Sequence, residues 1–157
     1  MERRNGRRGD YRPKGEEMVI YVTLDSSVIV AALREQEEKH EECKRLLEKV
    51  KDGTFIALEP YTVLVEVVAA IKRRTESTPL GERVKEDLQD IETINFLDLD
   101  FVRADEAANI TKEIGVRGMD AIVIQTAKEF DSILISLDGE MVKRAKTVVT
   151  VKDVEDL

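Results

Sequence analysis

Apolar and polar positions along this chain fall into two repeating patterns. Residues 19–24, Val-Ile-Tyr-Val-Thr-Leu, form an unbroken β-branched run of strand length. Similar runs, five or six residues long, occupy 54–58, 93–97, 132–137 and 147–151. Between them the apolar residues return at helical spacing. A helix is predicted to start at Ser26 and reach Leu33. A charged amphipathic helix is predicted over 36–51, with Cys43, Leu46, Leu47 and Val50 on one face. Gly53 ends it. Pro60 sits well in the first turn of a helix running to about Arg74, and Pro79 opens another to about Ile91. Further helices are predicted over 100–114, stopped by Gly115, and over 119–130. Strands separated by helices predict an α/β chain: a three-layer α/β/α sandwich around a central, mostly parallel sheet. No internal repeat is visible.

At 157 residues the chain is one domain's length and can bury a core without disulfides or a structural metal. It is 42% apolar and 37% charged, well above the usual ionic content, and its net charge is −8. An acidic chain is a poor candidate for wrapping duplex DNA by bulk attraction, although a local basic groove is not excluded. A single cysteine, Cys43, excludes an internal disulfide and any multi-cysteine metal site. The chain reads as intracellular, hence cytoplasmic: no apolar run approaches a membrane span, and the first, beginning at Met18, is too short for a secretory signal. Few Asn, Gln and Cys beside abundant Glu, Lys and Arg fit a thermophile. Residues 1–17 stand apart, with a net charge of +2 against −10 for the remainder. Three glycines, a proline and almost no apolar side chains predict a disordered basic tail. It reads either as an RNA-contacting arm or, more simply, as an inert extension ahead of a true start at Met18. Residues 18–157 make the single domain.

Ligands of parallel sheets bind beyond the carboxyl ends of the strands. Asp25 follows the first strand and Asp138 the strand over 132–137, which places both at one sheet edge. Two more acids keep unusual company. Glu66 lies in Tyr-Thr-Val-Leu-Val-Glu-Val-Val-Ala-Ala-Ile (61–71), and Asp120 opens Met-Asp-Ala-Ile-Val-Ile-Gln-Thr-Ala (119–127). A carboxylate in apolar surroundings takes up a proton or finds a cation. Oxygen ligands without His or Cys suit Mg²⁺ or Mn²⁺ rather than Zn²⁺. Such a site suits phosphodiester hydrolysis. Each acid also has a plain structural reading: Asp25 and Asp120 as helix caps, Asp138 with Gly139 as a turn, Glu66 as the partner of a nearby base. Four such coincidences are harder to accept than one.

Four segments resemble PIN-domain ribonucleases, most closely the VapC-type toxins of prokaryotic toxin–antitoxin pairs. They are Val-Ile-Tyr-Val-Thr-Leu-Asp-Ser-Ser (19–27), Val-Glu-Val-Val-Ala (65–69), Gly-Val-Arg-Gly-Met-Asp-Ala-Ile-Val-Ile-Gln-Thr-Ala (115–127) and Ile-Leu-Ile-Ser-Leu-Asp (133–138). The resemblance spans residues 18 to about 151, and its weight lies in the order and spacing of the segments. It implies that Asp25, Glu66, Asp120 and Asp138 form a catalytic, metal-binding acidic cluster. Ser136 would support it by hydrogen bonding, and Ser27 would do the same or position a water. Mg²⁺ or Mn²⁺ would be the cofactor and RNA the substrate, cut by in-line attack of metal-bound water to leave 5′-phosphate and 3′-hydroxyl ends. A homodimer and an antitoxin partner are also implied. Ser26 and Ser136 stand where Thr is common, and both keep the hydroxyl.

Other features weigh less. His40, on a charged helix face, reads as a solvated surface residue, and Cys43 as core. Lys72, Arg73 and Arg74 follow Glu66 by one to two turns and suit either RNA phosphates or a helix C-terminus. Asp98 and Asp100 imitate a phosphatase Asp-x-Asp motif but lack its Thr, so Asp100 reads as a helix cap. A receiver-type signalling domain would need a second acid beside Asp25, where Leu24 stands. A housekeeping PIN nuclease of RNA processing remains open, as does a non-cutting binding module. Intact acids disfavour the latter.

Overall fold

The computed structural model describes residues 18–157; the tail assigned to 1–17 lies outside the described residues. Four strands form one sheet: β1 (Ile20–Leu24), β2 (Phe55–Pro60), β3 (Ile94–Leu97) and β4 (Ile133–Ile135). Their order is β3-β2-β1-β4 and every pairing is parallel. Val22 pairs with Ala57 on one side and Ile133 on the other, so β1 is the central strand. The chain steps outward from β1 to β2 to β3, then returns past β1 to β4. That reversal puts the topological switch point between β1 and β4, the place where an open parallel sheet leaves a crevice.

Helices make the connections, as parallel pairing requires. α1 (Ser26–Leu33) is short, and Val28, Ile29, Val30, Ala31 and Ala32 are all buried, so it sits inside the core. α2 (His40–Lys51) is strongly amphipathic, and Cys43, Leu46, Leu47 and Val50 are its buried face, as their spacing predicts. Burial pushes the Cys43 thiol up to about 11, which suits a core residue and not a nucleophile. α3 (Tyr61–Thr75) starts directly after Pro60, and α4 (Thr78–Asp90) carries Pro79 in its first turn with Ser77 Oγ accepting the Leu80 N–H at 3.1 Å. α5 (Phe101–Ile114) is capped by Asp100, whose Oδ1 accepts the Arg103 N–H at 2.9 Å. Gly115 ends it at φ +72°, a conformation that favours glycine. α6 (Gly118–Phe130) packs on the sheet through Ala121, Val123, Ile124 and Ala127. α7 (Gly139–Ala145) and a 3₁₀ turn (Val154–Asp156) complete the chain.

Several boundaries differ from expectation for identifiable reasons. The expected fifth strand over 147–151 is absent: the Val148 and Val149 N–H groups both bond back to the Ala145 carbonyl, and only one isolated bridge, Leu134 with Val151, reaches the sheet. β4 stops at Ile135 because Ser136 and Leu137 spend their polar groups on the site described below. α2 begins at His40 rather than 36, after Lys39 takes a left-handed conformation at φ +64°. His40 is not a solvated surface residue. It is half-buried, and Nδ1–H donates to the Ala31 carbonyl at 2.7 Å, joining the start of α2 to α1. No helix among the described residues is long and apolar enough to cross a membrane.

Candidate active site

The crevice at the switch point is a groove of about 490 Å³. Asp25, Glu66, Asp120 and Asp138 all line it, brought there by the end of β1, the second turn of α3, the first turn of α6 and the start of α7. Ser27 is on its wall, and Ser136 stands behind Asp25. A second cleft of about 740 Å³, lined by Ala104, Ala107 and Ala108 of α5, shares Glu66, Arg117 and Asp120 with the groove.

Asp25 is the most constrained of the four. It occupies the N-cap position of α1 but makes no capping bond. Its Oδ2 accepts instead from Ser27 Oγ at 2.6 Å and Ser136 Oγ at 2.9 Å. The same hydroxyls accept in turn: Ser27 Oγ from the Leu137 N–H and Ser136 Oγ from the Asp138 N–H, each at 3.1 Å. The Asp25 N–H donates to the Ile135 carbonyl at 2.9 Å. The end of β4 is thus laced to the end of β1 around one carboxylate.

Glu66 Oε2 accepts from Ser26 Oγ at 3.2 Å. Burial raises its pKa, and the neighbouring Asp25 raises it further. Asp120 sits in the first turn of α6 without capping it, because Arg117 holds the N-cap position. Burial raises the Asp120 pKa, and the charges of Asp25 and Asp138 add to the rise against the opposing pull of Arg117. Asp138 does serve as a cap: its Oδ1 accepts the Glu140 and Met141 N–H groups at 3.1 Å each, which starts α7. Its Oδ2 accepts from Arg117.

Three groups were not anticipated from sequence. Ser26 holds Glu66. Arg117 bridges two of the acids, with Nε 3.3 Å from Asp120 Oδ2 and Nη2 2.9 Å from Asp138 Oδ2. Its placement three residues before Asp120, one helical turn away, was the available signal. Glu59, in β2, is fully buried; its Oε1 accepts the Leu24 N–H at 2.6 Å and its Oε2 has no partner among the described residues. Burial holds its carboxyl well above the usual range, with Asp25 contributing. Its signal was the one that singled out Glu66, an acid in an apolar run. Of the basic triplet, Arg73 and Arg74 line the groove, and Arg74 is ion-paired to Glu37. Lys72 turns aside to Thr78 Oγ1 and the Glu76 carbonyl.

The donor set is all oxygen, with excess negative charge. The hydrogen bonds of Asp25, Glu66 and Asp120 within the described residues all fall on a single oxygen of each carboxylate, which leaves the other oxygen free. These residues fit a hard divalent cation in chemistry. They are not gathered for it: among the described residues no group of three or more His, Cys, Asp or Glu stands ready to hold a metal ion.

The PIN domain family model matches residues 22–147. The chain belongs to the PIN domain family. PIN domains are generally nucleases. Among solved structures, FitAcB from Neisseria gonorrhoeae is 20% identical with a TM-score of 0.64, covering 87% of this chain and 99% of its own. DNA-bound VapBC from Salmonella typhimurium is 15% identical with a TM-score of 0.62, over 87% and 99%. Mycobacterium tuberculosis VapC20, described as a sarcin–ricin loop cleaving toxin, is 16% identical with a TM-score of 0.60, over 76% and 92%. At these identities the likeness is one of fold. No curated protein matches the chain in sequence.

Proposed function

We propose that this PIN domain is a Mg²⁺- or Mn²⁺-dependent endoribonuclease and the toxin of a toxin–antitoxin pair. The observation that carries the reading is the convergence of four carboxylates on one groove at the switch point, with Asp25 held by two hydroxyls. Asp25, Glu66, Asp120 and Asp138 would hold the cation, which when bound supplies a water of lowered pKa and positive charge beside the phosphate. Ser27 and Ser136 fix the direction of Asp25. Arg73 and Arg74, on the α3 wall of the groove, are placed to hold phosphates of an incoming strand. RNA as substrate is supported by VapC20, and a protein antitoxin by the complexes that share the fold.

Asp120→Asn tests the reading. Asn keeps the shape and removes a carboxylate whose charged form burial already disfavours. Cleavage of RNA in Mn²⁺ should be abolished with no loss of Tm. A chelator should stop the wild-type reaction, and Zn²⁺ should restore it no better than Mn²⁺. Normal cleavage by Asp120→Asn would sink the metal-site role of that residue.

A further inference from the structure

Arg117 makes the acidic site look closed where a metal site should be open. Its guanidinium reaches across the groove from the N-cap position of α6 and bonds to acids on two elements, Asp120 of α6 and Asp138 at the start of α7. It does so from the solvent side. The Arg117 side chain is 78% exposed, whereas Asp120 and Asp138 are 17% and 31% exposed. No other ion pair among the described residues involves any of the four acids. On Asp138 it takes the oxygen that the α7 amides leave, since Oδ1 accepts the Glu140 and Met141 N–H groups; on Asp120 it takes Oδ2. An exposed guanidinium held by two surface ion pairs is released at little cost, because solvent screens each pair. Arg117 lines both this groove and the adjoining Ala-lined cleft, so a released guanidinium has both within its reach. A guanidinium there matches a phosphate in charge and fork geometry.

We propose that Arg117 is an exchangeable substrate-binding residue: it neutralises Asp120 and Asp138 in the metal-free protein, gives them up to a divalent cation, and then takes a phosphate of the strand in the groove. This rests on the metal-site reading above and assigns the site a cation of its own that must move before the site is complete.

The test is Mn²⁺ titration by calorimetry on wild type, Arg117→Gln and Arg117→Lys, with Tm measured on each to confirm folding. Arg117→Gln should bind Mn²⁺ about three- to tenfold more tightly than wild type, the range expected for losing two screened ion pairs. Arg117→Lys, which keeps the charge, should fall between. A second arm follows a short 5′-labelled single-stranded oligoribonucleotide with phosphorothioate linkages by fluorescence anisotropy. Saturating Mn²⁺ should strengthen its binding to wild type, and Arg117→Gln should lose most of that gain. Equal Mn²⁺ affinity in wild type and Arg117→Gln, or weaker affinity in the variant, overturns the exchange. An undiminished gain in oligonucleotide binding overturns the phosphate role. Absence of Mn²⁺ binding in all three proteins sinks the metal-site reading itself and the exchange with it.

Discussion

Replacing Glu59 by Gln should make the protein progressively more stable than wild type as pH rises. Glu59 is fully buried in β2, and burial holds its carboxyl well above the ordinary range, with the charge of Asp25 adding to the effect. In the unfolded chain the same group ionises near about 4.3. Between that value and the raised folded one, the unfolded state has released a proton that the folded state still holds. Stability then falls with pH, by about 1.4 kcal/mol per pH unit for one group. The contribution is fully present below the unfolded pKa and is lost as pH rises through the folded one. Gln cannot titrate, so the difference between variant and wild type should climb with that slope from about pH 4.3 and level off above the folded pKa.

The absolute offset is a separate matter. Oε1 accepts the Leu24 N–H, and Gln keeps an acceptor there, while Oε2 has no partner among the described residues. Glu59→Leu removes the acceptor and should lose about 1–3 kcal/mol relative to Gln at every pH, the cost of one orphaned buried N–H. Both variants should share the slope. Urea denaturation followed by circular dichroism across pH 4 to 9 gives the numbers, with equal m-values confirming comparable unfolded states. A stability difference between Glu59→Gln and wild type that stays flat across this range would refute the reasoning, because it would mean that Glu59 titrates alike in both states.

Two further outcomes test the rest of the site. Ser136→Ala removes a hydrogen bond to Asp25 and leaves the Asp138 N–H without its acceptor, so RNA cleavage should fall about 10- to 100-fold; Ser136→Thr, which keeps the hydroxyl, should recover it in the same assay. Arg73→Ala should weaken oligoribonucleotide binding uniformly across sequences and reduce the slope of log affinity against log salt by about one, whereas Lys72→Ala, whose ammonium is turned toward α4, should change neither.

The residues that sequence made legible are those whose chemistry contradicts their neighbours. Glu66 and Asp120 stand in apolar helices, and Asp25 and Asp138 follow strands, so the groove they share was inferable once the sheet was taken as parallel. Glu59 satisfies the same criterion and was passed over because β2 was expected to end at Leu58, which put Glu59 in a connection where an acid is unremarkable. The strand continues to Pro60. The fifth strand failed for the reverse reason. Its β-branched run fits a strand locally, but the backbone donors of Val148 and Val149 are taken by the end of α7, a helix hidden behind the turn-like pair Asp138 and Gly139. Strand propensity was overruled by backbone hydrogen bonds reaching only three and four residues back, which continue the turn out of α7.

Arg117 belongs to a different class, because its partners are separated in sequence and its role depends on which way a long side chain points. An arginine three residues before a half-buried acid reads as an ordinary helix-surface pair, worth about a few tenths of a kcal/mol. Only the second contact, to Asp138 across the groove, changes its meaning. The four acids bring more negative charge to the crevice than burial tolerates: Glu66 and Asp120 are both pushed toward their neutral forms. Three kinds of group relieve that charge in the protein as folded. Hydroxyls from Ser26, Ser27 and Ser136 bond Glu66 and Asp25, backbone N–H groups of α7 bond Asp138, and Arg117 spans Asp120 and Asp138. The hydroxyls and amides are built into the ends of the strands and helices and cannot leave. The guanidinium can, and it is the group nearest solvent, so it is the one an arriving divalent cation would have to replace.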